Sequence, residues 1–174
     1  MLHIAPDVCR KCVATHLPKV DTKNKAVIVT CCDSGFGYLT ALRVNQEGFF
    51  FIATVFNAEG KGAKKLQKNV QRKNQLKIVQ VNVTKEEDIL RLHEEVTKLL
   101  SSGGPVEQLH GLVNNAGILI NREIEYAKAP SVEDYKRMFE VNLFGMVRMT
   151  RMFLPLIRKS KGRVVNLNSQ VICK

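Results

Sequence analysis

Lys25-Ala-Val-Ile-Val-Thr-Cys-Cys-Asp-Ser-Gly-Phe-Gly37 decides the fold, and it runs straight into Tyr38-Leu-Thr-Ala-Leu-Arg-Val-Asn-Gln-Glu-Gly48. Ala26 to Val29 is a short apolar, β-branched run. It ends at a Ser-Gly-x-Gly corner that opens onto helix-forming residues with a glycine at their end. The reading is strand, glycine turn, helix. At such a corner the first helical turn has amide hydrogens without partners inside the helix, and the aligned peptide dipoles add positive potential, so an anionic phosphate is the natural guest. Side chains at Gly35 or Gly37 would stand between the backbone and that guest. Glycines also mark ordinary turns, so the rest of the chain has to carry part of the case.

Outward from that corner the chain alternates strands and helices. Phe49 to Val55 is a continuous apolar run long enough for a strand buried on both faces. Ala58 to Val70 is basic and helical in character, and Leu76 to Val83 reads as a third strand. Thr84-Lys-Glu-Glu caps a helix through Leu100 by its Thr-x-x-Glu pattern. Ser101-Ser-Gly-Gly-Pro breaks it, and Leu109 to Val113 forms a fourth strand that ends in Asn114-Asn-Ala-Gly117. A helix capped by Ser131 and Asp134 runs towards Lys159, with Tyr135, Met138, Phe139, Met146 and Met149 on its apolar stripe. Pro155 should kink or break it. Asn142 shares that stripe, so its amide is either a satisfied structural group or a polar group placed in a site. Gly162 to Leu167 is a fifth strand.

This alternation implies an α/β fold, a Rossmann-like doubly wound parallel sheet of about five strands in the order 3-2-1-4-5 with helices on both faces. A ligand would lie beyond the carboxyl ends of the strands, where Ser34 to Gly37, Asn114 to Gly117 and Ser169 collect on one rim. Folds of this kind hold the ribose hydroxyls with an acid about 20 residues past the glycines. Here that region reads Thr54-Val-Phe-Asn57, with no acid before Glu59.

Composition sets the outer bounds. A chain of 174 residues with 45% hydrophobic content can bury a sizeable core, and one domain over residues 25–174 behind a loose leader, 1–24, is the simplest division. The net charge of +11 would suit an anionic partner. The basic residues of Lys61 to Lys73 and Arg148 to Arg163 are scattered without interleaved aromatics, however, which reads as a solvated surface and not a nucleic-acid site. Five cysteines in no regular framework indicate a reducing compartment. Cys9 and Cys12, with His3 and His16 nearby, lack the second ligand pair a zinc site needs, so no metal is expected. No apolar run approaches the ~18 residues of a membrane span. Arg10, Lys11 and Lys19 against Asp7 fit a mitochondrial presequence or a frayed terminus, which leaves cytoplasmic as the default location and mitochondrial as the alternative.

Four motifs in order, Thr30-x-x-x-Ser-Gly-Phe-Gly37, Asn114-Asn-Ala-Gly117, Val141-Asn-Leu-Phe-Gly145 and Gly162-Arg-Val-Val-Asn-x-x-Ser169, resemble the short-chain dehydrogenase/reductase family. Cys32-Asp-Ser-Gly-Phe-Gly, Phe153-Leu-Pro-Leu-Ile-Arg158 and Lys161-Gly-Arg-Val-Val-Asn166 are similar to its branch of hydroxybutyrate, retinol and 17β-hydroxysteroid dehydrogenases. The resemblance implies hydride transfer between NAD or NADP and a small-molecule secondary alcohol or ketone. It implies that Thr30, Ser34, Gly35, Phe36 and Gly37 hold the pyrophosphate turn, that Asn82 and Val83 lie beside the adenine, and that Asn115, Ala116 and Gly117 pack along the nucleoside. Ser169 would hydrogen-bond the substrate oxygen, and Asn142 would anchor a water relay. The helix over 131–159 would contribute to a homo-oligomer interface.

Two departures stand against that pattern. Position 31 holds a cysteine where the family has glycine, and a Cβ there strains the turn by an order of ~1 kcal/mol or crowds the phosphates. The family's acid/base pair is Tyr-x-x-x-Lys, the ammonium lowering the phenol's pKa. Four residues after Tyr38, Tyr126 and Tyr135 come Leu42, Pro130 and Phe139. The sequence therefore reads as a fragment without the catalytic third, unable to turn over substrate alone. Its fifth strand would then expose an edge open to aggregation or to pairing with another chain. A non-catalytic nucleotide-binding or interaction protein with the same half-fold is the alternative.

Overall fold

The computed structural model describes residues 20–120 and 130–167. Five parallel strands form one sheet: β1 (Lys25–Val29), β2 (Phe50–Val55), β3 (Leu76–Gln80), β4 (Gln108–Asn114) and β5 (Arg163–Asn166). Their spatial order is β3-β2-β1-β4-β5, as the alternation predicts. Between them run α1 (Gly35–Gln46), α2 (Lys61–Asn69) and α3 (Glu86–Ser101). The last crossover comprises α4 (Val132–Phe139), a π-helical segment (Glu140–Gly145) and α5 (Met146–Lys159).

The side-chain alternation of β1 explains the two layers. Ala26 and Ile28 point to one face, where they join Ile52, Leu92, Leu112, Met149 and Phe153 in a core under α3 and α5. Val27 and Val29 point to the other, joining Ala41, Phe51, Ala53, Val55 and Leu66 under α1 and α2. Burial on both faces places β1 at the centre, with Val27 in register with Phe51 of β2 and Gly111 of β4. The carboxyl ends of β1 and β4 consequently come out side by side. Gly48, at φ +95°, closes α1 as the glycine past the helix end should.

Several local expectations give way to stronger competitors. β3 stops at Gln80 and not at Val83, because the ladder ends with β2: the Val81 amide donates to the Val55 carbonyl at 2.9 Å and there is no further strand to follow. Thr84 does not cap α3. Its hydroxyl donates to Asn82 Oδ1 at 2.9 Å in a local turn, and the helix begins two residues later with Glu86, Glu87 and Asp88 facing its positive end. Ser131 and Asp134 do form the reciprocal capping box of α4. Pro155 does not break α5, which continues to Lys159. The carbonyl it leaves without an amide partner belongs to Arg151, and both residues are exposed, so water can satisfy that oxygen. The apolar stripe is also divided. Met149 is fully buried, but Tyr135 and Phe139 are exposed, because the π segment widens the helical turn and breaks the 3.6-residue phase between them. Val165 of the edge strand β5 is exposed as well.

Candidate functional site

The site begins where β1 ends. Thr30 is buried, and its hydroxyl oxygen accepts from the amides of Asn115 and Ala116, each at 2.8 Å. One side chain thus clasps the end of β4 to the end of β1. The Asn115 amide group returns the connection, donating from Nδ2 to the carbonyls of Thr30 at 2.9 Å and Cys31 at 3.1 Å. Both sets of motif residues, far apart in sequence, are tied into one rim.

Beyond the clasp the backbone turns through two left-handed residues, Cys31 at φ +58° and Gly35 at φ +57°. The first carries a Cβ in a region that costs ordinary residues free energy, as the departure from glycine at this position implies. Burial, and then the neighbouring Asp33 carboxylate, push the Cys31 thiol above its ordinary pKa, so it stays protonated and neutral at pH 7. Cys32 is fully buried and donates its thiol hydrogen to the Val29 carbonyl.

The first intrahelical bond of α1 runs from the Tyr38 amide to the Ser34 carbonyl at 3.2 Å, so the amides of Gly35, Phe36 and Gly37 lie ahead of the helical ladder. Ser34 makes no side-chain cap, and no acid stands in the first turn of α1. A Cβ built on Gly35 would meet nothing within 4 Å, which leaves that approach open to a ligand. The pyrophosphate of a dinucleotide fits this arrangement: donors without acceptors, a positive helix end and clearance at Gly35. Gly37 has a different reason from the one its spacing suggests. A Cβ there would run into the Cys31 carbonyl and the Asn115 amide nitrogen, so this glycine is required by close packing of α1 on the clasp and not by clearance for a guest.

Asn82 sits at the adjoining rim. Its amide donates to Asp88 Oδ2 at 2.8 Å, and that bond is the chief reason the Asp88 carboxyl titrates below the usual range. Val83 is buried against Gly145, where a Cβ would come within 2.7 Å of Val83 Cγ2. Gly117 is exposed at the end of the β4 loop.

Asn142 is not the buried amide its position on the stripe implies. It lies exposed in the π segment, and it pairs with a single residue across the rim: Oδ1 accepts from the Ile118 amide at 2.8 Å and Nδ2 donates to the Ile118 carbonyl at 2.9 Å. Both ends of its amide are engaged, so it clamps the loop after β4 to the last crossover. Ser169 lies outside the described residues, as do Cys9, Cys12, His3, His16 and Tyr126. Among the described residues no group of three His, Cys, Asp or Glu side chains converges as a metal site would need, and no helix is long and apolar enough to cross a membrane.

The sequence reading passed over Asp33. Its Oδ2 accepts from the Phe56 amide at 2.9 Å, bringing a carboxylate to the end of β2. The signal for it was Gly62, whose missing side chain lets α2 come down onto the Asp33 backbone.

A family model described as short chain dehydrogenase matches residues 25–172. The mitochondrial D-beta-hydroxybutyrate dehydrogenase of Bos taurus is 42% identical over 160 residues, which cover 90% of this chain and 44% of that protein. Estradiol 17-beta-dehydrogenase 2 of Rattus norvegicus is 43% identical over 146 residues, covering 84% and 36%. The chain thus spans less than half the length of these relatives. Among solved structures, serine dehydrogenase from Escherichia coli superposes with a TM-score of 0.66 at 31% identity, over 83% of this chain and 61% of that one. ElxO, solved with NADP bound, gives 0.68 at 25% identity, over 84% and 56%. With the glycine turn, the Asn-Asn-Ala-Gly rim and the 3-2-1-4-5 sheet all in place, this chain belongs to the short-chain dehydrogenase family of NAD(P)-binding oxidoreductases.

Proposed function

We propose that the chain supplies the nucleotide-binding part of an NAD(P)-dependent dehydrogenase acting on the CH–OH group of a secondary alcohol or its ketone, of steroid, retinoid or hydroxy-acid type. The observation that carries the reading is the open turn at Ser34 to Gly37. Its amides stand ahead of the α1 ladder, and the Thr30 hydroxyl holds it against Asn115 and Ala116. Ser34, Gly35, Phe36 and Gly37 bind the pyrophosphate through backbone donors. Thr30 and Asn115 orient that turn, Ala116 and Gly117 flank the nucleoside, and Asn82 and Val83 wall the adenine side. Asn142 positions the loop after β4 through Ile118, and Ser169 donates a hydrogen bond to the substrate oxygen. A nicotinamide cofactor supplies the hydride acceptor or donor.

Residues 1–174 contain no tyrosine followed four positions later by lysine. The 174-residue polypeptide taken by itself therefore binds nucleotide without turnover, having no phenol activated to move the proton. The exposed apolar side chains of Phe139 and Val147 favour a second role for the 131–159 crossover, as a surface that pairs with another subunit. Titration of the purified chain with NADH and NADPH, followed by nucleotide fluorescence and by an alcohol-oxidation assay, tests nucleotide binding and the absence of turnover. Saturable binding with no oxidation of alcohols is expected. Failure to bind either nucleotide removes the reading, and oxidation of any alcohol by this polypeptide alone overturns its inactivity.

A further inference from the structure

The position where folds of this type carry the ribose-binding acid is empty of acids here. Val55 is buried, Phe56 is 69% exposed and Asn57 is neutral. A carboxylate is nevertheless present at that place, delivered from another element. Asp33 belongs to the turn after β1, yet its Oδ2 accepts from the Phe56 amide at 2.9 Å, at the end of β2. α2 holds it there from the other side: a Cβ on Gly62 would come within 2.8 Å of the Asp33 Cα, so the head of that helix packs directly on the Asp33 backbone. Its backbone is packed under α2, and its half-exposed carboxylate is tethered to the end of β2 through the Phe56 amide. Its second oxygen, Oδ1, has no hydrogen-bond or ion-pair partner among the described residues.

We propose that Asp33 selects the cofactor: its carboxylate takes the place of the missing β2 acid, accepts from the hydroxyls of the adenosine ribose and excludes a 2′-phosphate, so that the chain takes NAD(H) over NADP(H). The proposal rests on the nucleotide reading above and adds the choice between the two nucleotides. Its physical basis is the sign of charge. A free carboxylate oxygen accepts well from a hydroxyl, whereas a phosphate dianion set beside a carboxylate meets like-charge repulsion. The competing charges are cationic. Lys61 opens α2 nearby and Lys64 follows one turn on, both exposed and without an ion pair among the described residues, while the Lys65 ammonium lies over the Tyr38 ring at 4.9 Å. Those ammonium groups sit on flexible four-carbon stems in solvent, whereas the half-exposed Asp33 carboxylate is tethered to the Phe56 amide, so the acid decides.

The test compares dissociation constants of NADH and NADPH for the full chain and for Asp33→Asn, by nucleotide fluorescence at one fixed ionic strength. Asparagine keeps an oxygen for the Phe56 amide and removes only the charge. The wild-type chain should bind NADH at least about tenfold more tightly than NADPH. Asp33→Asn should narrow that ratio about fivefold or more, mainly by tightening NADPH. Asp33→Glu, which retains the charge, should keep the preference for NADH. Equal affinities in the wild type, or a preference for NADPH through Lys61, overturn the proposal while leaving the nucleotide reading intact. So does a folded Asp33→Asn chain with an unchanged ratio. Binding of neither nucleotide by the wild type removes the underlying reading itself, and the proposal with it.

Discussion

The turn from Thr30 to Gly37 and the flank formed by α4, the π segment and β5 are built on opposite terms. At the base of the turn, below its open amides, polar groups meet protein: the Thr30 hydroxyl holds two amides, Asn115 holds two carbonyls, and α1 packs so closely that Gly37 has no space for a methyl group. On the flank, apolar groups meet solvent. Phe139 is 54% exposed, Val165 is 49% exposed, and α4 buries none of its residues. The first region is held by contacts of the ends of β1 and β4 with one another and with α1 and α2. The second region carries a surface whose composition is suited to further contact. The pyrophosphate part of the proposed reading rests on the first region, whereas Asn142, in the second, touches the rim only through Ile118.

If the turn is self-supporting, substitutions inside it should be costly, and Gly37→Ala should be the worst. Its methyl group would meet a backbone carbonyl and a clamped amide, neither of which can rotate away, so a loss of about 3 kcal/mol or more is expected from urea unfolding. A loss below about 1 kcal/mol would mean that α1 can slide on the clasp, and the contrast between the regions would weaken. Thr30→Val should come next. It preserves shape and removes the acceptor for the Asn115 and Ala116 amides, with a cost of about 2 kcal/mol. The same variant should weaken NADH binding, because the turn and the β4 rim lose their shared anchor.

Much of this was legible from the sequence, and what was not has physical causes. The sheet order follows from strand-helix alternation, from the continuous apolar runs of β1 and β2, and from the handedness of crossovers. The rim residues follow from the rule that ligands collect at the carboxyl ends of parallel strands. The placement of the Asp33 carboxylate was hidden because it is set by a hydrogen bond to a residue 23 positions away, which no local spacing encodes. Asn142 was misplaced because its burial was judged from a 3.6-residue period that the π segment interrupts, and residue types give little warning of such a segment. Thr84 illustrates competition between two local motifs, with the turn around Asn82 taking the hydroxyl that the capping pattern assigns to the helix. Gly37 was singled out for clearance towards a phosphate, and the contact that requires glycine there is visible only when Cys31 and Asn115 are seen against it.

Cys31 sharpens the comparison from within the turn, since it is the one place there where the backbone is held against its preference. Cys31→Gly should stabilise the chain by about 0.5–1 kcal/mol, as relief of the left-handed Cβ exceeds the added freedom of the unfolded chain. Thermal unfolding with NADH present and absent separates two contributions. A rise in both conditions is the backbone effect, and an extra rise with nucleotide means that the cysteine also crowds the site. A fall in both would show that the half-buried side chain at position 31 contributes more by packing than it costs in strain.

The smallest effect on stability is expected on the flank, and its smallness is informative. Phe139→Ser and Val165→Thr each alter an exposed side chain away from either core, so unfolding free energies should stay within about 0.5 kcal/mol of the parent chain. Self-association is the more sensitive readout. If these side chains belong to a surface that pairs with another subunit, sedimentation velocity should show the parent chain associating with rising concentration and the double variant remaining monomeric. A loss of several kcal/mol from either substitution would mean that these groups already support the core, and the flank would then have to be counted with the turn as self-contained. Unchanged stability together with unchanged association would leave the apolar face with no role in pairing, and the part of the crossover before α5 would be left with holding Asn142 against Ile118 at the rim, while α5 fills the core with Met149, Phe153 and Ile157.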